Sequence, residues 1–119
     1  MEGIITLCGS TKFKKEFNEC NYYLTLSDYI VLSVGSFLHS DNDPEIKEEI
    51  IKHKEQLDRL HKEKIDISRA VFIIDKNGYI GESTRSELDH ALRLGIQIFY
   101  YSRGDLQRLC PMLRNECCT

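Results

Sequence analysis

The stretch GYIGESTRSELDHALRLG, residues 78–95, sets a carboxylate next to a glycine-rich loop and between two apolar runs, AVFIID and IQIFYY. The runs read as buried strands, and STRSELDHALRLG reads as a helix closed by Gly95. Within it, Thr84-x-x-Glu87 has the form of a capping box, in which the acid reaches back to a backbone N–H. Helical geometry offers a second reading. At about 100° per residue, Leu88, Ala91, Leu92 and Leu94 define a face centred roughly 65° from Glu87. The carboxylate then sits on the shoulder of the buried face, while Ser86, Asp89 and Arg93 take the solvent side. One turn into the helix it looks along the sheet edge, and the helix N-terminus favours its ionised form. A fixed, ionised carboxylate above a sugar-binding loop is what nucleophilic attack on an anomeric carbon requires. Cap and nucleophile both fit the local pattern.

Other groups could complete such a site. Asp75 ends the third strand, and Glu82 precedes the helix; either could act as a general acid or hold a leaving base. Their plainer readings are a turn former and a charge favourable to the helix dipole. Gly9, Ser10, Thr11 and Lys12 open one helix; Gly81, Ser83 and Thr84 open another. Glycine allows close backbone approach, and free N–H groups at a helix start attract anions, so these loops suit a phosphate or sugar hydroxyl. Neither loop is a Walker A or a G-x-G-x-x-G sequence, and Ser10 and Ser83 also read as simple caps. Gly35 and His39 lie in a further loop, where His39 could touch a base or phosphate. Tyr79, between glycines, could stack on a base or cover its own loop. His53 and His61 fall on a charged helix, His90 faces outward, and Asp66 reads as a cap or turn residue at the opposite edge. No His/Cys/Asp set has metal-ligand spacing, so no metal or cofactor is expected. No serine stands in a G-x-S-x-G context.

The elements that must position these residues alternate. GIITLC is the first strand. KFKKEFNECNYYL follows as a helix with Phe13, Phe17, Cys20 and Leu24 on one face. DYIVLSV is a continuous apolar run, typical of a strand covered on both sides. A long helix starts at Asp43-Pro44, with Asp43 as cap and Ile46, Ile50, Leu57 and Leu60 as its apolar face. AVFIID and IQIFYY are the third and fourth strands, and the tail from Ser102 holds one or two helical turns before Pro111. Strand–helix alternation implies right-handed crossovers and a parallel sheet of four to five strands. In such a sheet the loops leaving the carboxyl ends of the strands share one edge, where ligands bind.

The chain has 119 residues and a net charge of −3. That length fits one domain, residues 1–119, with its own core. The charge balance does not suggest a nucleic-acid or anionic-membrane partner. No apolar run approaches the ~20 residues of a membrane helix, and MEGIITLCGS lacks the basic start of a secretion signal. Five cysteines, an odd number, argue against a disulfide framework; Cys8 and Cys20 read as core residues, and the set points to a reduced, cytoplasmic protein.

Taken together in chain order, ITLCGSTKF, YIVLSVGSFLHS and KIDISRAVFIIDKNGYIGESTRSELDHALRLG resemble the nucleoside 2-deoxyribosyltransferase-like family, in its compact bacterial and phage branch, over about residues 4–101. The resemblance implies a flavodoxin-like Rossmann three-layer sandwich. It also implies cleavage of the N-glycosidic bond of a nucleoside or its 5′-monophosphate, with a glutamate attacking C1′; here that glutamate is Glu87. It puts Gly9, Ser10, Thr11 and Lys12 at the 5′ end of the substrate, Ser83 and Thr84 at a phosphate, and Asp75 at the base or sugar. It further implies sites completed across subunits, hence a homo-oligomer. The chain departs from the family pattern where Arg69-Ala70 replaces the acid usual just before the third strand. The residues leave open a second possibility, a nucleotide-binding or sensing module with the same pocket and no turnover.

Overall fold

The structure is a computed structural model and describes residues 2–34 and 44–113. Four parallel strands form one sheet in the order β2-β1-β3-β4, with β1 Gly3–Gly9, β2 Tyr29–Leu32, β3 Ala70–Ile74 and β4 Gln97–Tyr100. The period of two along a strand divides the central pair between two faces. Ile5, Leu7, Phe72 and Ile74 meet α1 (Lys14–Leu26) and α5 (Asp105–Leu109) through Phe17, Cys20, Leu24 and Leu106. Cys8, Val71 and Ile73 meet α3 (Lys54–Asp66) and α4 (Glu82–Leu94) through Ile65, Leu88 and Ala91. This is the three-layer flavodoxin-like arrangement. The strand order reverses between β1 and β3, so the crevice outside their carboxyl ends is the topological switch point. Among the described residues no helix is long and apolar enough to cross a membrane.

Two glycines shape the frame. A Cβ on Gly9 would lie 3.0 Å from both the carbonyl oxygen and the Cβ of Ile74, so the close approach of the β1 end to β3 requires glycine. Gly95 closes α4 at φ 72°, and its N–H reaches Ala91 O and Leu92 O at 3.1 and 3.2 Å, the left-handed helix stop that glycine adopts without strain.

Several expectations need correcting. β2 pairs only with β1 and is an edge strand with Ile30 exposed, not one covered on both sides. The long helix is two, α2 (Pro44–Lys52) and α3, separated at His53, whose φ/ψ of −108°/12° leaves the helical region. Leu57 and Leu60 are not its packed face; they are 38% and 40% exposed, and the buried residues of α3 are His61 and Ile65. On α4 the buried stripe is Thr84, Glu87, Leu88 and Ala91, at i, i+3, i+4 and i+7. Leu92 and Leu94 are exposed. Glu87 therefore belongs to the buried stripe itself rather than to its shoulder. Gly35, His39, the Asp43 cap, the side chains of Ile46 and Ile50, and Cys117 and Cys118 lie outside the described residues.

Candidate functional site

A cavity of about 1030 Å³ opens at the switch point. Gly9, Ser10 and Thr11 form one wall at the end of β1. The segment after β3 and the start of α4 form the second, with Tyr79, Gly81, Glu82, Ser83, Thr84 and Glu87. The third wall is α3, which contributes Lys54, Leu57, Asp58, Leu60, His61 and Lys64. Two of the loops expected to share an edge thus face each other, and α3 closes a side that the loop pattern left open.

Local hydrogen bonding sets each element. Ser10 Oγ accepts from Lys12 N at 3.4 Å and caps the short turn Thr11–Phe13. The cap before α4 is Gly81, with no side-chain bond, and the helix begins at Glu82, so Thr84 is already inside it. The Thr84–Glu87 capping box does not form. Thr84 is buried, and Ser83 is exposed, with Lys54 Nζ 3.5 Å from its Oγ. The last turn of α3 is pinned over β1: Thr6 Oγ1 lies 2.6 Å from Ser68 Oγ, which donates to Lys64 O at 2.7 Å. Thr6 and Cys8 point to the same face. One turn back from Lys64 and Ile65, His61 comes to rest over Cys8, with Cys8 Sγ and His61 Nε2 3.6 Å apart. On the cavity side, Glu87 Oε2 lies 3.7 Å from the same ring nitrogen.

This cluster is nearly dry. Glu87 is 8% exposed, His61 5% and Cys8 0%. Burial pushes the Glu87 carboxyl up to about 8; Asp58 adds to the rise, and Lys62 and Lys54 oppose it. The helix dipole expected to keep Glu87 ionised is thus overridden by loss of water. Burial lowers His61 to about 4, aided by Lys64 and opposed by the Leu7 carbonyl and Asp58. Burial and the Glu87 charge raise the Cys8 thiol. At neutral pH the resting cluster is therefore a protonated acid, a neutral imidazole and a thiol, and the 3.7 Å contact is not an ion pair.

Asp75 and Lys12 do not line the cavity. Asp75 is buried, and its two carboxylate oxygens accept from Ser102 N at 2.8 Å and Ser102 Oγ at 2.7 Å. This latches the end of β3 to the turn Tyr101–Arg103. Lys12 Nζ lies over the Tyr79 ring, 3.3 Å from its centroid, and Phe13 meets that ring edge-on at 5.9 Å. Glu82 is exposed at the mouth. Cys8 and His61 are the members that sequence reasoning passed over. Their signal was present in part: His61 stands four residues before Ile65, which places the histidine on the same face of a charged helix as an apolar residue. Compared with protein-family models, with curated proteins and with solved structures, the chain gives no match.

Proposed function

We propose that the protein cleaves the N-glycosidic bond of a deoxynucleoside or its 5′-monophosphate, with Glu87 as the nucleophile. The observation that carries this reading is a buried carboxylate, Glu87, set in the wall of a nucleotide-sized cavity at the switch point of the sheet. Glu87 gives its proton to water and attacks C1′, and the C1′–N electron pair leaves with the base, which takes up a proton from water. Water, or a second base, then attacks C1′ of the glycosyl-glutamate ester and returns Glu87 to its starting state with retention. Lys54 and Lys62 favour the carboxylate form needed for attack. Gly9, Ser10 and Thr11 face Ser83 and Thr84 across the cavity, a fit for the sugar and its 5′ end. No metal or cofactor enters this chemistry. The same reading makes the protein a homo-oligomer, because Leu57, Leu60, Ile51 and Ile67 leave apolar surface exposed along the α3 side of the cavity.

A second reading has its own support. Asp75 is engaged by Ser102, and Glu87 is uncharged at neutral pH, which suits a module that binds a nucleotide without turnover. Incubation with a panel of nucleosides and 5′-monophosphates, with released base separated by chromatography, discriminates the two. Release from one substrate class supports the glycosidase; saturable binding with no release supports the sensor.

A further inference from the structure

We propose that Cys8 Sγ, His61 Nε2 and a Glu87 carboxylate oxygen form a binding site for one zinc-class divalent cation, and that the ion and sugar attack by Glu87 exclude one another. The first half stands on the geometry of three side chains. The second rests on the proposed role of Glu87.

One atom of each residue converges: the three donor atoms lie within 4.8 Å of one another, with Nε2 3.6 Å from Sγ and 3.7 Å from Oε2. A tetrahedral zinc ion, with Zn–S about 2.3 Å and Zn–N and Zn–O about 2.0–2.2 Å, holds its ligand atoms roughly 3.3–3.6 Å apart. The two separations from Nε2 are within a few tenths of an ångström of those, and the sulfur-to-carboxylate separation is no more than 4.8 Å. As a hydrogen bond the Nε2–Oε2 contact is poor, because 3.7 Å exceeds the usual N–H···O range of about 2.7–3.2 Å, whereas 3.6 Å to the larger sulfur is within reach. Both contacts also fall on one ring nitrogen, which has a single in-plane proton or lone pair to offer. A central cation satisfies all three donors at once.

The donor types agree with this. Thiolate, imidazole and carboxylate are the set that zinc accepts, and three protein ligands leave a fourth position open. Glu87 and His61 line the cavity, so that position faces the space a substrate would take. Two anionic ligands also neutralise a divalent ion, so the buried centre carries no net charge. Uptake of one ion then releases the thiol and carboxyl protons. A cysteine-nucleophile triad fits less well: Cys8 is fully buried, and the acid meets the same imidazole nitrogen as the sulfur instead of the opposite one. With the ion bound, both the Glu87 lone pair and the open face above it are taken.

The test uses the full chain, first stripped with a chelator. Zn²⁺ is titrated against a chromophoric competitor, and Co²⁺ is used to read the ligand atoms. The expected result is one equivalent bound, a sulfur-to-cobalt band in the near ultraviolet, and two N/O ligands beside one sulfur by X-ray absorption. Cys8→Ser abolishes the band and weakens Zn²⁺ binding by at least about 100-fold, the upper cost of losing a mere outer-shell partner, and His61→Ala weakens it similarly. Absence of one-equivalent binding, or a band that survives in folded Cys8→Ser protein, overturns the site. If that variant does not fold, X-ray absorption of wild type lacking a single sulfur ligand overturns it instead. For the second half, the rate of base release with one equivalent of Zn²⁺ is divided by the rate with chelator. The expected ratio is below about 0.01 in wild type and at least about tenfold higher in Cys8→Ser, because at one equivalent the ion-free fraction rises as the square root of the affinity loss. Full turnover by zinc-saturated wild type overturns the exclusion. Zinc binding by a protein that releases no base from any substrate leaves the site standing and removes the glycosidase reading.

Discussion

At the residue scale, Glu87 carries the account, and its burial makes two linked predictions. The folded protein holds the Glu87 proton up to about pH 8, against an ordinary value of 4.5, so this group favours folding at low pH and loses that contribution as pH rises to 8. His61 acts in the opposite sense: its folded value of about 4 lies below the ordinary 6.5, so its contribution is present above 6.5 and lost as pH falls to 4. Between pH 4.5 and 6.5 the two slopes offset. Above 6.5 Glu87 acts alone, and wild type should lose on the order of 2 kcal/mol by pH 8. Glu87→Gln keeps the shape without the charge, so its denaturant midpoint should stay level over that window, while base release falls by about a thousandfold or more. A folded Glu87→Gln protein with wild-type turnover removes the nucleophile. The rate should follow the same ionisation. A nucleophile must be deprotonated, so kcat/KM of chelator-treated protein should climb about tenfold per pH unit and level off near pH 8. A rate that falls through the same range would make Glu87 a general acid instead.

At the scale of elements, the sequence was informative wherever the apolar pattern was continuous. GIITLC and AVFIID read as strands because both faces of the central pair are covered. IVLSV gave the same signal, yet β2 lies at the edge, because run composition does not encode strand order. The α4 pattern was harder. Thr84-x-x-Glu87 imitates a capping box, but Gly81 starts the helix earlier and turns both residues inward, a choice made by packing against the sheet and not by local preference. His61 was hidden among lysines and glutamates because its burial depends on the Thr6–Ser68–Lys64 latch, a contact across 62 residues of chain. Asp75 makes the prediction for this scale. As a latch from β3 to the β4–α5 turn, its change to Asn should cost about 1–3 kcal/mol of stability by chemical denaturation and alter kcat less than threefold. A stable Asp75→Asn protein with activity reduced a hundredfold would return Asp75 to the chemistry.

At the scale of the whole molecule, four strands give a shallow rim, and the α3 side of the cavity keeps Leu57, Leu60, Ile51 and Ile67 exposed. A second copy seated there would cover apolar surface and shield the bound sugar, and two-fold closure is the commonest solution for such a surface. Light scattering over a dilution series should find a dimer, with specific activity falling as it dissociates. A species that stays at 13.9 kDa with full activity at every concentration rules out the shared site. The central claim, that Glu87 bonds to the sugar, is tested most directly by stopping the reaction with acid during turnover and mapping the chain by peptide mass. The account predicts one added deoxyribosyl group, or its 5′-phosphate, on the peptide that contains Glu87 and on no other. Base release with the added mass elsewhere or nowhere, or no release from any nucleoside or monophosphate, contradicts it.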